Sequence, residues 1–284
     1  MKNIDFNKVG IVLRPDSPQL KGEFLKVQET LNKYNIEIFL EKNSAQMISL
    51  EGFEFDEMCS KSGFLITIGG DGTLISTARK SLQYDIPILG IHAGRLGFLS
   101  DVSIDEFDGF FQQMKNGKFR IDERAVLETT LNKGEKEEKR YAFNDVVLTR
   151  SSVPQMIHIE TLVDSKPFNT YYGDGVIVST PTGSTAYNLS AGGPVMFPLT
   201  NVFALTPICP HSLTQRPVVL PGKYPIEMKT SSEKALVIFD GQDMVELGLG
   251  ESIDIKLATK MVSLIHKEDF NYFEILKNKL NWGD

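Results

Sequence analysis

Cysteine is scarce. Cys59 and Cys209 are the only two in 284 residues, far apart and in no CxxC pair, which argues against a disulfide framework and a zinc site. Long apolar runs are missing too. None approaches the ~20 residues that a membrane-spanning helix needs, and the opening MKNIDFNKVG has no apolar segment of the kind a signal peptide carries. Basic residues are outnumbered, 30 against 37 acidic, for a formal net charge of −7. Binding along a phosphate backbone needs a Lys/Arg surplus, so no nucleic-acid partner is expected. A small anionic ligand stays open, because backbone amides hold phosphate without any net positive charge. The expectation is a cytoplasmic protein with neither a nucleic-acid nor a membrane partner.

Several catalytic signatures are also absent. There is no GxxxxGK[ST] phosphate loop and no GxGxxG after a strand. The VAIK, HRD and DFG set of protein kinases is missing, as is the GxSxG elbow of α/β hydrolases.

What is present suits a soluble two-domain chain, 41% hydrophobic and 24% charged. Over the first ~120 residues strand-like and helix-like segments alternate, an α/β pattern. Strands are predicted at Val9–Leu13, Ile36–Leu40, Phe64–Ile68 and Ile86–Ile91. Helices are predicted over Pro18–Tyr34, where Phe24, Val27 and Leu31 are spaced by three and four, and over Thr73–Gln83. Ser103-Ile104-Asp105-Glu106 reads as a capping box opening a helix to about Lys115. Beyond Lys118 the pattern turns to short strands: Phe119–Leu131 and Lys139–Thr149 around a charged tip at Gly134–Glu138, then Gln155–Val163 and Lys166–Tyr172 around Asp164-Ser165. More strands follow from Val202 to Ile265, with one helix near Ser184–Ser190. A last helix, Phe270–Leu280, sets Tyr272, Phe273, Leu276 and Leu280 on one face and needs something to pack on. The expected architecture is α/β plus all-β: a Rossmann-like α/β domain over residues 1–118, a β-sandwich-like domain over 119–267, and a helix over about 268–284 returning to the first domain.

Two motifs stand out. Gly69-Gly70-Asp71-Gly72-Thr73 directly follows the strand-like run Phe64–Ile68, apolar but for Thr67. Its glycines let a backbone turn approach a ligand, and its amides suit phosphate oxygens outside the carboxyl end of a strand. Asp71 is then a candidate base or metal ligand. The plainer alternative is an ordinary strand-to-helix turn with Asp71 as N-cap. The second motif runs from Gly173 to Pro194, a short strand feeding a series of hydroxyls and small residues, with Tyr187 available to pack on a base.

The segments GGDGTLI, GIHAGRLGFLSD, NDVVLTR, GDGVIVSTPTGSTAYNLSAGGPV, LTPICPHSLTQRPVVL and FDGQ occur in this order between about residues 64 and 242. In order and spacing they resemble NAD kinases. The GGDG turn alone is shared with diacylglycerol and sphingosine kinases and, loosely, with phosphofructokinases. The long block around GSTAY and SAGGP is far more specific.

The resemblance implies phosphorylation of the adenosine ribose 2′-hydroxyl of NAD, with ATP or another phosphoryl donor and a divalent cation such as Mg²⁺. Asp71 matches the family's proton acceptor, and Gly72 lies in the turn against the phosphates. Asn144 and Asp145 match the pair that holds the adenosine. Many members carry Glu at the second position, so Asp145 is one methylene shorter. Asp174 matches an acid near the nicotinamide end, often reached across a subunit interface, which implies a homo-oligomer, a dimer or tetramer. Thr185, Ala186, Tyr187, Asn188, Leu189 and Ser190 match the adenine and ribose cradle, and Gln242 a further NAD contact beside Asp240. Tyr172 replaces a basic or small residue, at a position bearing on ligand or donor choice. No protein metal ligand is assigned. Arg95, in its glycine-bearing turn, is a weaker phosphate candidate. His92, His211 and Arg216 read as structural, and Phe98, Phe107, Phe110 and Phe111 as core. Two alternatives stay beside this reading: a lipid kinase sharing the GGDGT turn, and a non-catalytic dinucleotide sensor.

Overall fold

The computed structural model describes residues 4–134, 136–151, 156–232 and 234–282. In chain order the first part holds β1 (Lys8–Leu13), α1 (Lys21–Lys33), β2 (Glu37–Leu40), α2 (Lys42–Met47), α3 (Phe55–Lys61), β3 (Phe64–Gly69), α4 (Asp71–Ser81), β4 (Ile88–His92), β5 (Val102–Ser103), α5 (Phe107–Lys115) and β6 (Arg120–Arg124). Next come β7 (Leu127–Lys133), β8 (Lys136–Ala142), β9 (Asp145–Arg150), β10 (Ile157–Val163), β11 (Lys166–Gly173), β12 (Gly175–Ser179), α6 (Tyr187–Ser190), β13 (Val202–Ile208), β14 (Val218–Pro221), β15 (Ile226–Thr230), β16 (Lys234–Phe239), β17 (Asp243–Gly248) and β18 (Ser252–Leu257). The chain closes with β19 (Val262–His266) and α7 (Tyr272–Leu280).

Contacts divide the chain into two units, one of Met1–Glu123 with Val262–Asp284 and one of Arg124–Met261. The returning segment therefore contains a strand as well as the expected helix. In the first unit the strand order is β2-β1-β3-β4-β19-β6, with β5 beside β4. Pairs from β2 through β19 are parallel. A parallel strand covered on both faces reads as a near-continuous apolar run, and β3, apolar but for Thr67, is buried at every residue. Phe24, Val27 and Leu31 of α1 join the same core, as their spacing predicts. So do Phe107, Phe110 and Phe111 of α5. Phe98 does not; it is half-buried, with the Lys279 ammonium over its ring at 5.7 Å.

The second unit has two six-stranded sheets, β11-β10-β15-β18-β7-β8 and β14-β13-β12-β9-β16-β17. Their pairs are antiparallel. Ile157, Ile159 and Thr161 of β10 alternate inward, and residues of both sheets share one apolar cluster, the signature of a sandwich. Asp164 and Ser165 both have positive φ, 51° and 60°, the twist a two-residue hairpin turn demands.

Several boundaries differ from expectation. The Phe119–Leu131 run is two strands in two sheets, split at Ala125-Val126, because an apolar pair that is itself buried leaves no break in the sequence. The charged tip is shorter than expected, since Lys136 already pairs with Lys133; Glu135 lies outside the described residues. So does Gln155, expected to open the strand that begins at Ile157. Pro18–Leu20 forms a 3-10 turn before α1. The Ser103–Glu106 box exists in both directions, Ser103 N–H to Glu106 Oε2 at 3.0 Å and Glu106 N–H to Ser103 Oγ at 3.3 Å, but α5 starts only at Phe107.

Candidate active site

In the first unit, β3 runs without interruption into the glycine turn, and Gly70 caps α4 in extended conformation with φ −131°. Asp71 is the first helical residue and not the N-cap; no side-chain cap bond is made there. Its carboxylate turns instead to the loop after β4. Phe98 N–H donates to Oδ2 at 2.7 Å and Leu99 N–H to Oδ1 at 3.3 Å. Gly97 lies flat against the same carboxylate, so that a Cβ there would sit 2.0 Å from Oδ1. The GGDGT and GRLGFLSD motifs are thus one structure, in which the second aims the acid of the first. A carboxylate offers about four lone-pair directions, and these amides use two.

Other members of the first-unit cluster were less visible in the sequence. Arg14 follows β1 directly, and β1 pairs with β3 up to Leu13 beside Ile68. Its Cβ lies 2.8 Å from where a Gly69 Cβ would be, and its Nε donates to Ser17 Oγ at 2.8 Å. Arg95 is exposed in its turn. His92 Nδ1 is 2.9 Å from Gly94 O, the turn role expected for it.

In the second unit, Asn144 and Asp145 stand where β9 begins. Three successive amides there converge on one side chain: Phe143 N–H reaches Asp240 Oδ2 at 3.0 Å, while Asn144 and Asp145 N–H reach Oδ1 at 2.7 and 3.2 Å. Asp240 has φ of 53° and is followed by Gly241 at 64°, a turn that brings its carboxylate back over the strand start. Asn144 Oδ1 is enclosed and meets no hydrogen-bond donor. An orphaned buried acceptor is costly unless a ligand or water supplies the donor. Asp145 is 4% exposed. Burial, followed by the Asp240 charge, pushes its carboxyl up to about 7.

The hydroxyl block wraps the same strand start. Thr180 Oγ1 donates to Phe143 O at 2.7 Å and accepts Gly183 N–H at 3.0 Å. Gly183 touches Asn144, with room for no Cβ: one would stand 2.2 Å from Asn144 O. The helix expected near Ser184–Ser190 comes in two pieces, a 3-10 turn over Thr182–Thr185 and the single turn α6, broken at Ala186 with ψ of −128°. Asn188 is fully buried, and its amide is spent on the scaffold: Nδ2 donates to Ser184 O and Pro194 O at 3.1 and 3.0 Å, and Oδ1 accepts Thr206 Oγ1 at 2.6 Å. Tyr187, by contrast, is 46% exposed, and Thr185, Ala186, Leu189 and Ser190 are at least partly so.

Tyr187 feels the charge of Asp174. Burial, followed by the charges of Cys209, Asp174 and Asp145, holds its phenol above the ordinary tyrosine range. Asp174 itself pairs with Arg150 Nε at 2.9 Å. Tyr172 is stacked on His158, with centroids 4.2 Å apart, and meets His211 edge-on at 5.5 Å. Gln242 is exposed, with its N–H on Phe239 O at 3.0 Å. Arg216 Nη1 donates to the Leu213 and Gln215 carbonyls. The second unit brings Asn144, Asp145 and Asp240 together with the hydroxyl block, and holds Asp174 against Arg150. Sequence reasoning missed the clamp role of Asp240, although its place in FDGQ marked it. It also missed the Phe98 and Leu99 amides, which have no letter in a sequence.

Comparison with known proteins agrees along the whole chain. A family model described as the ATP-NAD kinase N-terminal domain matches residues 9–119, and one described as the ATP-NAD kinase C-terminal domain matches residues 143–267. The NAD kinase of Sulfurimonas denitrificans is 66% identical over 284 residues, covering 100% of both chains. That of Wolinella succinogenes is 48% identical over 279 residues, covering 98% of this chain and 96% of the relative. Among solved structures, yeast NADH kinase complexed with NADH superposes with a TM-score of 0.91 at 25% identity, over 100% of this chain and 89% of the other. An NAD kinase from Archaeoglobus fulgidus in complex with ATP gives 0.79 at 25% identity, over 96% and 98%.

Proposed function

The chain belongs to the NAD kinase family, and on that premise we propose that it phosphorylates NAD to NADP with ATP, using Asp71 as proton acceptor for the adenosine ribose 2′-hydroxyl. The observation that carries the residue assignment is the Asp71 carboxylate at the carboxyl end of β3, fixed by two loop amides. In this reading the 2′-hydroxyl gives its proton to Asp71 as its oxygen bonds to the γ-phosphorus, and the bond from that phosphorus to the bridging oxygen of ADP breaks. Proton removal by a placed base contributes typically ~10²–10⁴-fold. Alignment and charge neutralisation supply more, since phosphoryl transfer asks mainly for positioning.

Gly72 and the first amides of α4 would face the phosphates, with Arg14 and Arg95 as basic neighbours. Asn144 and Asp145 would hold the adenosine: the orphaned Asn144 Oδ1 suits a ligand N–H or O–H, and the Asp145 carboxylate a ribose hydroxyl. Tyr187, Thr185, Ala186, Leu189 and Ser190 line the same exposed stretch, and Gln242 adds an exposed amide beside the clamp. Asn188, consumed by the scaffold, would act by shaping that stretch. Among the described residues no group of three or more His, Cys, Asp or Glu side chains could hold a metal ion. A divalent cation would be carried by the nucleotide phosphates and water, where it would neutralise charge on the transferring group.

A homo-oligomer, with Asp174 at the nicotinamide end, is supported by apolar side chains the second unit leaves exposed, Leu213 at 86% with Phe197, Leu199 and Val219. A gel-filtration mass of one chain would reject it. A cytoplasmic setting is supported by two free cysteines and by the finding that no described helix is long and apolar enough to cross a membrane. The lipid-kinase and sensor alternatives give way to the family match and to full-length relatives that are NAD kinases.

The decisive measurement is NADP formation by Asp71→Asn with ATP and Mg²⁺. We expect a loss of ~10²–10⁴-fold in kcat with NAD binding kept. Near-normal turnover would remove Asp71 from the role.

A further inference from the structure

A buried ionic cluster lies behind the loop that holds Asp71. His266, the last residue of β19, is fully buried. Its Nδ1 is 3.1 Å from Asp101 Oδ1, and the next residue, Lys267, donates its backbone N–H to Asp101 Oδ2 at 3.0 Å. On the other side, Nε2 lies 3.9 Å from Asp122 Oδ2. Asp122 is itself buried and is gripped by Arg120 through Nε at 2.9 Å and Nη2 at 2.7 Å. The Phe270 ring stacks on the imidazole, with centroids 4.0 Å apart and planes 16° from parallel, and Arg120 Nη1 donates to Phe270 O at 3.1 Å. A side chain so enclosed, with a carboxylate at each nitrogen, has little rotational freedom left.

Asp101 stands only two residues after Leu99. Between them Ser100, 2% exposed, packs on Gly90 of β4, where a Gly90 Cβ would approach Ser100 Cβ to 3.0 Å. The loop is therefore tied at both ends. One end lends its Phe98 and Leu99 amides to Asp71; the other is fastened through Asp101 to His266 and Lys267. Slack at the second end passes to the first through residues too tightly packed to absorb it.

We propose that His266 is a positioning residue for the reaction: through Asp101 it fixes the 97–101 loop whose amides aim the Asp71 carboxylate. It touches neither substrate nor reacting atoms. The role rests on the reading of Asp71 as the proton acceptor. A base displaced by ~1 Å can lose ~10²-fold in rate, so a fastening residue 165 positions from Asp101 in the chain can govern turnover.

The variants His266→Leu and His266→Asn separate this from plain structural support. Asn keeps an N–H donor near the Nδ1 position, and Leu removes it. We expect Leu to lower kcat about 10- to 100-fold with the KM for NAD within about 2-fold, and Asn to restore most of the loss. The discriminating step is the Asp71→Asn background, where His266→Leu should cost nothing further, because the group it aims is gone. The same fold-loss in both backgrounds, or a loss in KM with kcat intact, overturns the proposal. Should His266→Leu fail to fold, Asp101→Asn is read through the same cycle; it keeps one acceptor for His266 and gives up the Lys267 amide. Near-normal turnover by Asp71→Asn itself would instead overturn the Asp71 assignment.

Discussion

Asp240 and Asp145 are joined in both directions: Asp240 N–H donates to Asp145 O at 3.0 Å, and Asp145 N–H donates to the Asp240 carboxylate at Oδ1, 3.2 Å away. Two acids are thereby locked side by side, and the carboxyl of Asp145 rises to about 7 through burial and then through the Asp240 charge. A carboxyl raised above its unfolded value of ~3.9 stabilises the fold most at low pH, and loses that contribution as pH climbs through about 7. Ligand binding runs the other way, since a ribose hydroxyl is accepted best by the ionised form. We expect the KM for NAD to fall as pH rises from 6 to 8, and Asp240→Asn, which removes the neighbouring charge, to move that midpoint down. A pH-independent KM in the wild type would discard Asp145 as the acceptor.

Gly97 has no room for a side chain, because its Cα abuts the Asp71 carboxylate. In Gly97→Ala the new methyl must displace either the loop or the acid. The expected result is a kcat loss of ~10²-fold or more, with thermal stability lowered far less than a buried-core truncation would lower it. An alanine variant with wild-type kcat would show that the loop does not aim Asp71.

Asn188 makes three hydrogen bonds in full burial. Asn188→Ala strands the Thr206 hydroxyl and two carbonyls and should cost ~2–3 kcal/mol of stability. Calorimetry would register this as a fall of roughly 5–10 °C in Tm, together with a raised KM for NAD. A fall in Tm with KM unchanged would limit Asn188 to the fold.

Arg14 sits beside the Gly69 turn with its guanidinium oriented by Ser17. If it meets the donor phosphates, Arg14→Ala removes a charge-assisted hydrogen bond, worth ~1.5–3 kcal/mol. Steady-state kinetics should then show the KM for ATP about 10- to 100-fold higher and the KM for NAD unchanged. An equal rise in both constants would point to a disturbed turn.

The glycine turn could be read directly from the sequence because a strand buried at every residue runs into three glycines, so burial and turn chemistry change within two positions. The sandwich strands were harder to bound. Ala125-Val126 is apolar between two strands, and nothing in the letters marks the change of sheet. The six-residue α2 and seven-residue α3 went unseen, since neither is long enough to repeat an apolar spacing. The support of the site was hidden for another reason. Asp240 works on backbone amides 95 to 97 residues away, and His266 on an acid 165 residues away. Local pattern carries no trace of such pairings.

The place of β19 in the sheet has a consequence for synthesis. It lies between β4 and β6, yet it is translated after all of the sandwich strands. While the ribosome is making residues 124–261, the parallel sheet has an open slot flanked by two unpaired strand edges. The sandwich, whose contacts close within its own segment, has everything it needs to fold first. The first unit then waits for β19, and His266 arrives with it. The sheet that carries Asp71 is therefore completed only after the sandwich has been made, so a chain that stops short of β19 would lack the proposed fastening for Asp71 as well as a strand.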